Sequence, residues 1–275
     1  MGGYLGAAAA KPLVMTGQLD KMTPRRLVET SKFWIDATAH DGMTRYADGF
    51  KSAVRVRLMH AQIRAMLLQS DNWDPAWGHP LNQWDSMGTI LEFSSIMLLG
   101  LRLLGFLFTR REREAVVHQW RYIGYVMGVD ERMLPTSEAD SMRALYAVIA
   151  TAPTPDEDSR ALGQALAEVT LQFAGEGVWQ QRSARLERIL RIGYTRYVLG
   201  DKAGDALGLP RTAAKYFWAA QLPLRLTSEL ARSALPPLNR WMVKQGEKTL
   251  QAQFRRRVAL TRPNVNFEPV KTLAR

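Results

Sequence analysis

The sequence predicts an all-α protein. Apolar residues recur every three or four positions in nearly every segment of the 275-residue chain, which is the spacing of amphipathic helices. Alternating apolar and polar stretches bounded by turn residues, which are typical of β-strands, are scarce. The chain is 47% hydrophobic and 23% charged, so it has enough apolar material for one large or two small cores. We therefore expect a single helical domain of about ten helices.

Helix boundaries follow from caps and breakers. Pro24 favours the first turn of a helix, Ser137 and Asp156 are candidate N-caps, and Gly128 is a candidate terminator. Helices are expected over residues 24–39, 50–69, 82–108, 110–127 and 137–150, and from Asp156 onward with interruptions at Gly200, 208–210 and 235–237. The Trp- and Pro-rich stretch 71–80 is predicted as a loop.

The chain divides into three parts in this interpretation. Residues 1–23 form an N-terminal segment, 24–262 the helical domain and 263–275 a C-terminal tail. The breaker at 151–156 is the one candidate sub-boundary inside the domain.

The most hydrophobic run, 88–108, raises the question of a membrane span, because about 20 mainly apolar residues can cross a bilayer. Glu92 and Arg102 lie inside the run, and charges at mid-bilayer are costly. A buried core helix is therefore the preferred interpretation.

The N-terminus has no charged region or long apolar stretch typical of an export signal, so we expect a cytoplasmic protein, or one at the membrane periphery.

The net charge of +11 is concentrated near the C-terminus. Residues 181–275 contain 19 Lys and Arg against six Asp and Glu. Such a segment suits an anionic membrane, an acidic partner or simply solvated helix faces. The run at 255–257 lacks the glycines and aromatic residues of a strand-binding platform, so nucleic acid is not the expected partner.

Residue types restrict the chemistry. The absence of cysteine excludes disulfides, thiolate nucleophiles and metal–thiolate sites. Of the four histidines, His40, His79 and His118 have no neighbours that favour a site.

His60 lies on a predicted helix between Arg57 and Arg64, at spacings that place all three on one stripe. Two neighbouring cations lower an imidazole pKa, and a neutral imidazole can bind iron while guanidiniums pair with haem propionates. The alternative is an amphipathic helix with solvated arginines and a histidine against the core.

The stripe forms the motif R-x-x-H-A-x-x-R, which resembles the core motif of the latex-clearing protein (rubber oxygenase) superfamily. A fungal relative in this superfamily is the oxygenase of mycophenolic acid biosynthesis. Three further segments are similar to family blocks in the same order, with a weaker fourth: residues 26–30, 80–94, 112–135 and 205–210.

The resemblance implies a globin-like helical fold around one haem b, with His60 as the proximal iron ligand. Arg57, Arg64, Arg26 and Thr30 match residues lining that site. Characterised relatives cleave a carbon–carbon double bond of an isoprenoid with dioxygen to give carbonyl products. Rubber-cleaving members can carry a lysine before the threonine, where this chain has Glu29; the distal side is then open, or Glu29 is a general base that removes an allylic proton.

The resemblance thus predicts a haem b-dependent oxygenase acting on a hydrophobic alkene, isoprenoid or lipid-like, with dioxygen. The basic C-terminal third would contact an anionic membrane. One alternative is a non-catalytic haem carrier or sensor that uses the same histidine. The other is a haem-free helical protein that acts at membrane surfaces.

Overall fold

The computed structural model describes residues 2–16 and 23–261, and within these ranges the chain is helical with no β-strand. The α-helices are α1 Ala7–Met15, α2 Thr23–Thr38, α3 Asp48–Leu68, α4 Gln83–Leu91, α5 Met97–Leu103, α6 Arg110–Met127, α7 Glu138–Thr151, α8 Glu157–Gln172, α9 Val178–Ala206, α10 Ala214–Ala220, α11 Leu222–Ala234 and α12 Pro236–Thr261. A π-helical turn, Glu92–Ile96, joins α4 to α5. The predicted fold class is confirmed. The predicted tail, 263–275, lies outside the described residues.

Side-chain caps fix several boundaries where the sequence placed them. Thr109 and Glu112 form a reciprocal capping box at the start of α6, and Gly128 ends this helix in the left-handed conformation, with φ 92°. Ser137 and Asp156 accept hydrogen bonds from backbone N–H groups in the first turns of α7 and α8. These short polar side chains satisfy N–H groups that a helix leaves unpaired.

The helix expected over 82–108 is shorter than predicted. It ends at Leu103, and the chain turns at Gly105 with φ 91°. The backbone N–H of Leu107 donates a hydrogen bond to Glu229 of α11 instead of continuing the helix. The N–H groups of Gly105 and Phe106 donate hydrogen bonds to the carbonyls of Arg102 and Leu101, so a left-handed glycine cap ends this helix and Glu229 binds the chain beyond it.

The main hydrophobic core lies between α2, α3, α4, α6 and α7. Trp120 of α6 lies at the centre of this core and is 1% exposed. Its ring stacks on Phe93, with centroids 5.0 Å apart, and meets Phe33 edge to face at 6.4 Å. This arrangement holds α2, α6 and the π-helical turn together.

Within the described part of the chain, one helical stretch, Gln83–Leu103, is long and apolar enough to cross a membrane by length and composition alone. Met87, Ile90 and Leu91 on this stretch are buried in the main core. These contacts agree with the prediction of a core helix.

A buried arginine organises the segment after α9. The side chain of Arg196 is fully buried and donates hydrogen bonds to Asp205 and to the carbonyls of Leu209 and Pro210. α9 is interrupted at Gly200, whose φ is 85°. Arg196 therefore holds residues 205–210, the weakest of the family-like segments, against the helix.

Candidate functional site

His60 lines a cavity of about 340 Å³ between α1, α3, α4 and α6. Its wall is largely apolar, formed by Phe33, Ile90, Phe93, Trp120, Met127 and Val129. Arg57 and Arg64 line the same cavity, as their shared stripe with His60 predicts. The space therefore combines one imidazole, two guanidiniums and a hydrophobic wall, and its volume lies within the usual range of ligand pockets.

Burial and positive charge keep His60 neutral. Desolvation is the main cause that lowers its pKa, from 6.5 to about 4, and the charges of Arg26 and Arg64 add to it. The sequence predicted that Arg57 and Arg64 would have this effect. The expectation was wrong for Arg57, whose guanidinium is directed toward α6, and Arg26 of α2 takes that place.

The two arginines on the stripe are held by backbone groups. Arg64 donates hydrogen bonds to the carbonyl oxygens of Pro80, at 3.2 Å, and Leu81, at 2.6 Å, just before α4. Arg57 donates to the carbonyl of Val126 at 3.4 Å and lies against Gly128. A side chain at position 128 would bring its Cβ to 2.8 Å from Nε of Arg57. Both guanidiniums thus fix the positions of neighbouring elements around the cavity.

The predicted residues of α2 lie elsewhere. Arg26 and Thr30 line a neighbouring cavity of about 220 Å³ beside Tyr4 and Leu13. Burial lowers the pKa of Arg26, and its charge acts on His60 from this side. Glu29 forms an ion pair with Arg25 at 3.0 Å and lines neither cavity. The structure therefore brings Arg57, His60 and Arg64 together around one space, and places Thr30 and Glu29 outside it.

Helix α1 contributes a wall that the sequence analysis missed. Ala9 and Pro12 line the His60 cavity, and Lys11 pairs with Asp156 and Asp158 at the start of α8. Small side chains let this helix approach closely. The alanine run was the available signal, but nothing in it predicted a position beside His60.

Asp85 is a second functional candidate that sequence reasoning did not identify. It lines the His60 cavity and also an adjoining apolar cavity of about 410 Å³. Burial raises the pKa of its carboxyl group, although Asn82 donates a hydrogen bond to it at 2.8 Å. A carboxyl group with a raised pKa on the wall of this cavity can hold or release a proton there.

The π-helical turn separates the two spaces. Phe93 from this turn lines the His60 cavity, and Glu92 lines the 410 Å³ cavity. Burial raises the pKa of Glu92. π-Helical turns inside α-helices frequently mark functional sites, because the extra residue changes the direction of neighbouring side chains.

Comparison with known proteins gives three findings. Residues 1–233 match the family described as ER-bound oxygenase mpaB/B'/rubber oxygenase, catalytic domain. The rubber oxygenase of Streptomyces sp. (strain K30) is 26% identical over 254 residues, which cover 88% of this chain and 59% of that protein. The structure of latex clearing protein LCP in the closed state has a TM-score of 0.54 at 20% identity, covering 82% of this chain and 63% of that one. The chain thus spans about three fifths of the length of these proteins and shares the fold of the second.

Proposed function

Because the chain belongs to the mpaB and rubber oxygenase catalytic-domain family, we propose that it is a haem b-dependent oxygenase. Its substrate would be a hydrophobic alkene, isoprenoid or lipid-like, which dioxygen converts to carbonyl or otherwise oxidised products. The observation that carries the proposal is the neutral His60 on the wall of an apolar cavity.

The residues around this cavity fit a haem. Within residues 2–16 and 23–261, no three His, Asp or Glu side chains lie close enough to hold a metal ion by themselves. One imidazole is sufficient when a porphyrin supplies the other ligands. The apolar wall suits the macrocycle, and the buried Nε1 of Trp120 has no hydrogen-bond partner among the described residues.

Each side chain has a separate task in this proposal. His60 would be the proximal ligand, and the remaining N–H groups of Arg57 and Arg64 would bind the propionates. Arg26 would keep the imidazole neutral. Bound haem would supply the redox chemistry with dioxygen, and the apolar wall would exclude water and orient the double bond.

The proposal for Thr30 and Glu29 is narrower. Thr30 would shape the distal side through the 220 Å³ cavity that it shares with Arg26. For Glu29 to act as a general base toward an allylic proton, its carboxylate must leave the ion pair with Arg25. Glu29→Gln would then lower turnover without changing haem content.

The membrane belongs to the same proposal. A hydrophobic alkene partitions into a bilayer, and the basic C-terminal third would bring the enzyme to an anionic one. Such contact would be peripheral.

The absorption spectrum tests the haem assignment. Wild-type protein expressed with haem supplied should show a Soret band in the oxidised and dithionite-reduced states. His60→Ala should lose most of it, whereas His118→Ala, which removes an exposed imidazole on α6, should retain it. Wild-type haem content in His60→Ala would show that the ligand assignment is wrong.

Turnover separates the remaining functions. An oxygenase consumes dioxygen in the presence of an alkene such as squalene and releases carbonyl products that hydrazine reagents detect. A haem carrier or sensor gives the same spectrum with no alkene-dependent oxygen uptake. Colourless protein under haem-supplied expression identifies the haem-free alternative.

A further inference from the structure

Helix α11 has its polar side turned toward the protein. Glu229 is 3% exposed and accepts hydrogen bonds from the backbone N–H of Leu107 and from Arg232. Arg232 also donates to the carbonyl of Leu107 and to Asn239. Arg225, one turn earlier, lies over the ring of Phe106 at 5.6 Å. The charged residues of this helix are therefore used for internal contacts.

The rest of the circumference of α11 faces outward, and it carries three exposed leucines. Leu224 is 73% exposed, Leu230 is 59% exposed and Leu226 is 39% exposed. A surface helix of a soluble protein normally has the opposite orientation, with apolar residues against the core. We name these three leucines the α11 face. Their orientation is fixed by the buried Glu229 and Arg232, so they cannot turn inward without breaking those contacts.

Elements next to α11 carry further exposed apolar side chains. Tyr216 and Phe217 on α10 are 65% and 46% exposed, and Leu235 after α11 is 54% exposed. Leu103 and Leu107, in the segment that α11 holds, are 43% and 40% exposed. Exposed apolar side chains concentrated on neighbouring elements indicate an interaction site, whereas isolated exposed leucines need no explanation.

Charge identifies the occupant. The exposed Lys and Arg residues of α12 are Arg240, Lys244, Lys248, Arg255 and Arg256, and Glu247 is the one acidic residue on this helix. Arg102, Arg110 and Arg111 are exposed beside the segment that carries Leu103 and Leu107. A second copy of the chain would bring like charges together across the face. An anionic bilayer accepts both features, because its headgroups attract cations and its acyl boundary accepts leucines.

We propose that the α11 face inserts into the acyl boundary of an anionic membrane while the exposed basic residues of α12 contact the headgroups. This inference rests on the proposed function, because the membrane contact would bring the enzyme to the bilayer in which an apolar alkene resides. Membrane contact then depends on the α11 face, and not only on the net charge of the whole C-terminal third.

Vesicle flotation of the full chain tests the inference. Wild-type protein should bind vesicles of phosphatidylcholine mixed with phosphatidylglycerol more strongly than phosphatidylcholine alone, and less strongly at high salt. The double variant Leu224→Ser/Leu230→Ser should reduce the partition coefficient at least about tenfold, since two apolar side chains no longer enter the bilayer. The matched control Leu58→Ser/Leu186→Ser removes leucines that are 59% and 57% exposed elsewhere, and should bind as wild type does.

Each outcome decides the matter once thermal melting shows that the variants fold. Equal vesicle binding by wild type and the α11 variant overturns the inference. A wild-type protein that binds anionic vesicles no more strongly than phosphatidylcholine vesicles also overturns it. A vesicle-free dimer that the α11 variant abolishes assigns the face to a second copy instead. Absorption spectra of the same samples separate the two proposals: vesicle binding without haem keeps this inference and overturns the haem assignment, and haem uptake without vesicle binding does the reverse.

Discussion

Stability against pH gives the sharpest test of the environment of His60. In the folded protein its pKa is lowered from 6.5 to about 4, first by burial and then by the charges of Arg26 and Arg64. The unfolded chain therefore binds a proton on this imidazole in a range where the native protein does not. Between pH 6.5 and pH 4 the free energy of unfolding must fall as the pH falls.

The size of this effect follows from the lowering of the pKa. Below pH 4 the effect is complete, and it lowers the free energy of unfolding by roughly 3 kcal/mol. This is a large part of the stability of an ordinary domain. Above pH 6.5 neither state is protonated, so the effect is absent there.

Urea unfolding of haem-free protein at a series of pH values measures this contribution. Carboxylates titrate in the same range, so the observable is the difference between wild type and His60→Gln, which has no titrating group at this position. The difference should change by roughly 3 kcal/mol between pH 7 and pH 4, in the direction that wild type loses more stability. His118→Gln is the control, because that imidazole is exposed. Parallel curves for wild type and His60→Gln would refute the buried, neutral imidazole.

Two further substitutions test the frame around the site. Gly128→Ala should lower the free energy of unfolding by about 1–2 kcal/mol, because position 128 has φ 92° and its Cβ would lie 2.8 Å from Nε of Arg57; an unchanged urea midpoint would contradict this. Arg196→Met should lower the free energy of unfolding by about 1–3 kcal/mol, since it leaves the carbonyls of Leu209 and Pro210 without their buried donor; thermal melting measures the loss, and exposed Arg55→Met is the control.

Local chemistry made much of the fold predictable. The predicted helix at 110–127 coincides with α6, because Thr109 and Gly128 act within one turn of the ends they define. Ser137 and Asp156 are predictable for the same reason. The predicted end at residue 108 was wrong because Gly105 adopts the left-handed conformation and caps the helix there, with the N–H of Phe106 bonded to the carbonyl of Leu101.

The candidate site was predictable in part. Helical geometry alone places Arg57, His60 and Arg64 on one stripe, and the structure finds all three on one cavity. Which cations act on His60 depends on how α2 packs against α3, and no spacing within α3 contains that information. Asp85 illustrates the same limit, because its carboxyl group is unremarkable until packing buries it.

Local sequence accounts for the helical class, most helix boundaries and the stripe around His60, because each depends on residues within one or two turns. Packing between distant elements accounts for the remaining features. It brought the charge of Arg26, on α2, close enough to lower the pKa of His60, an effect that the sequence assigned to Arg57. It also left three leucines of α11 exposed, because the part of the helix that carries Glu229 and Arg232 binds Leu107 instead. The amphipathic pattern of a helix shows that it has two sides, but only its packing partners decide which one faces solvent.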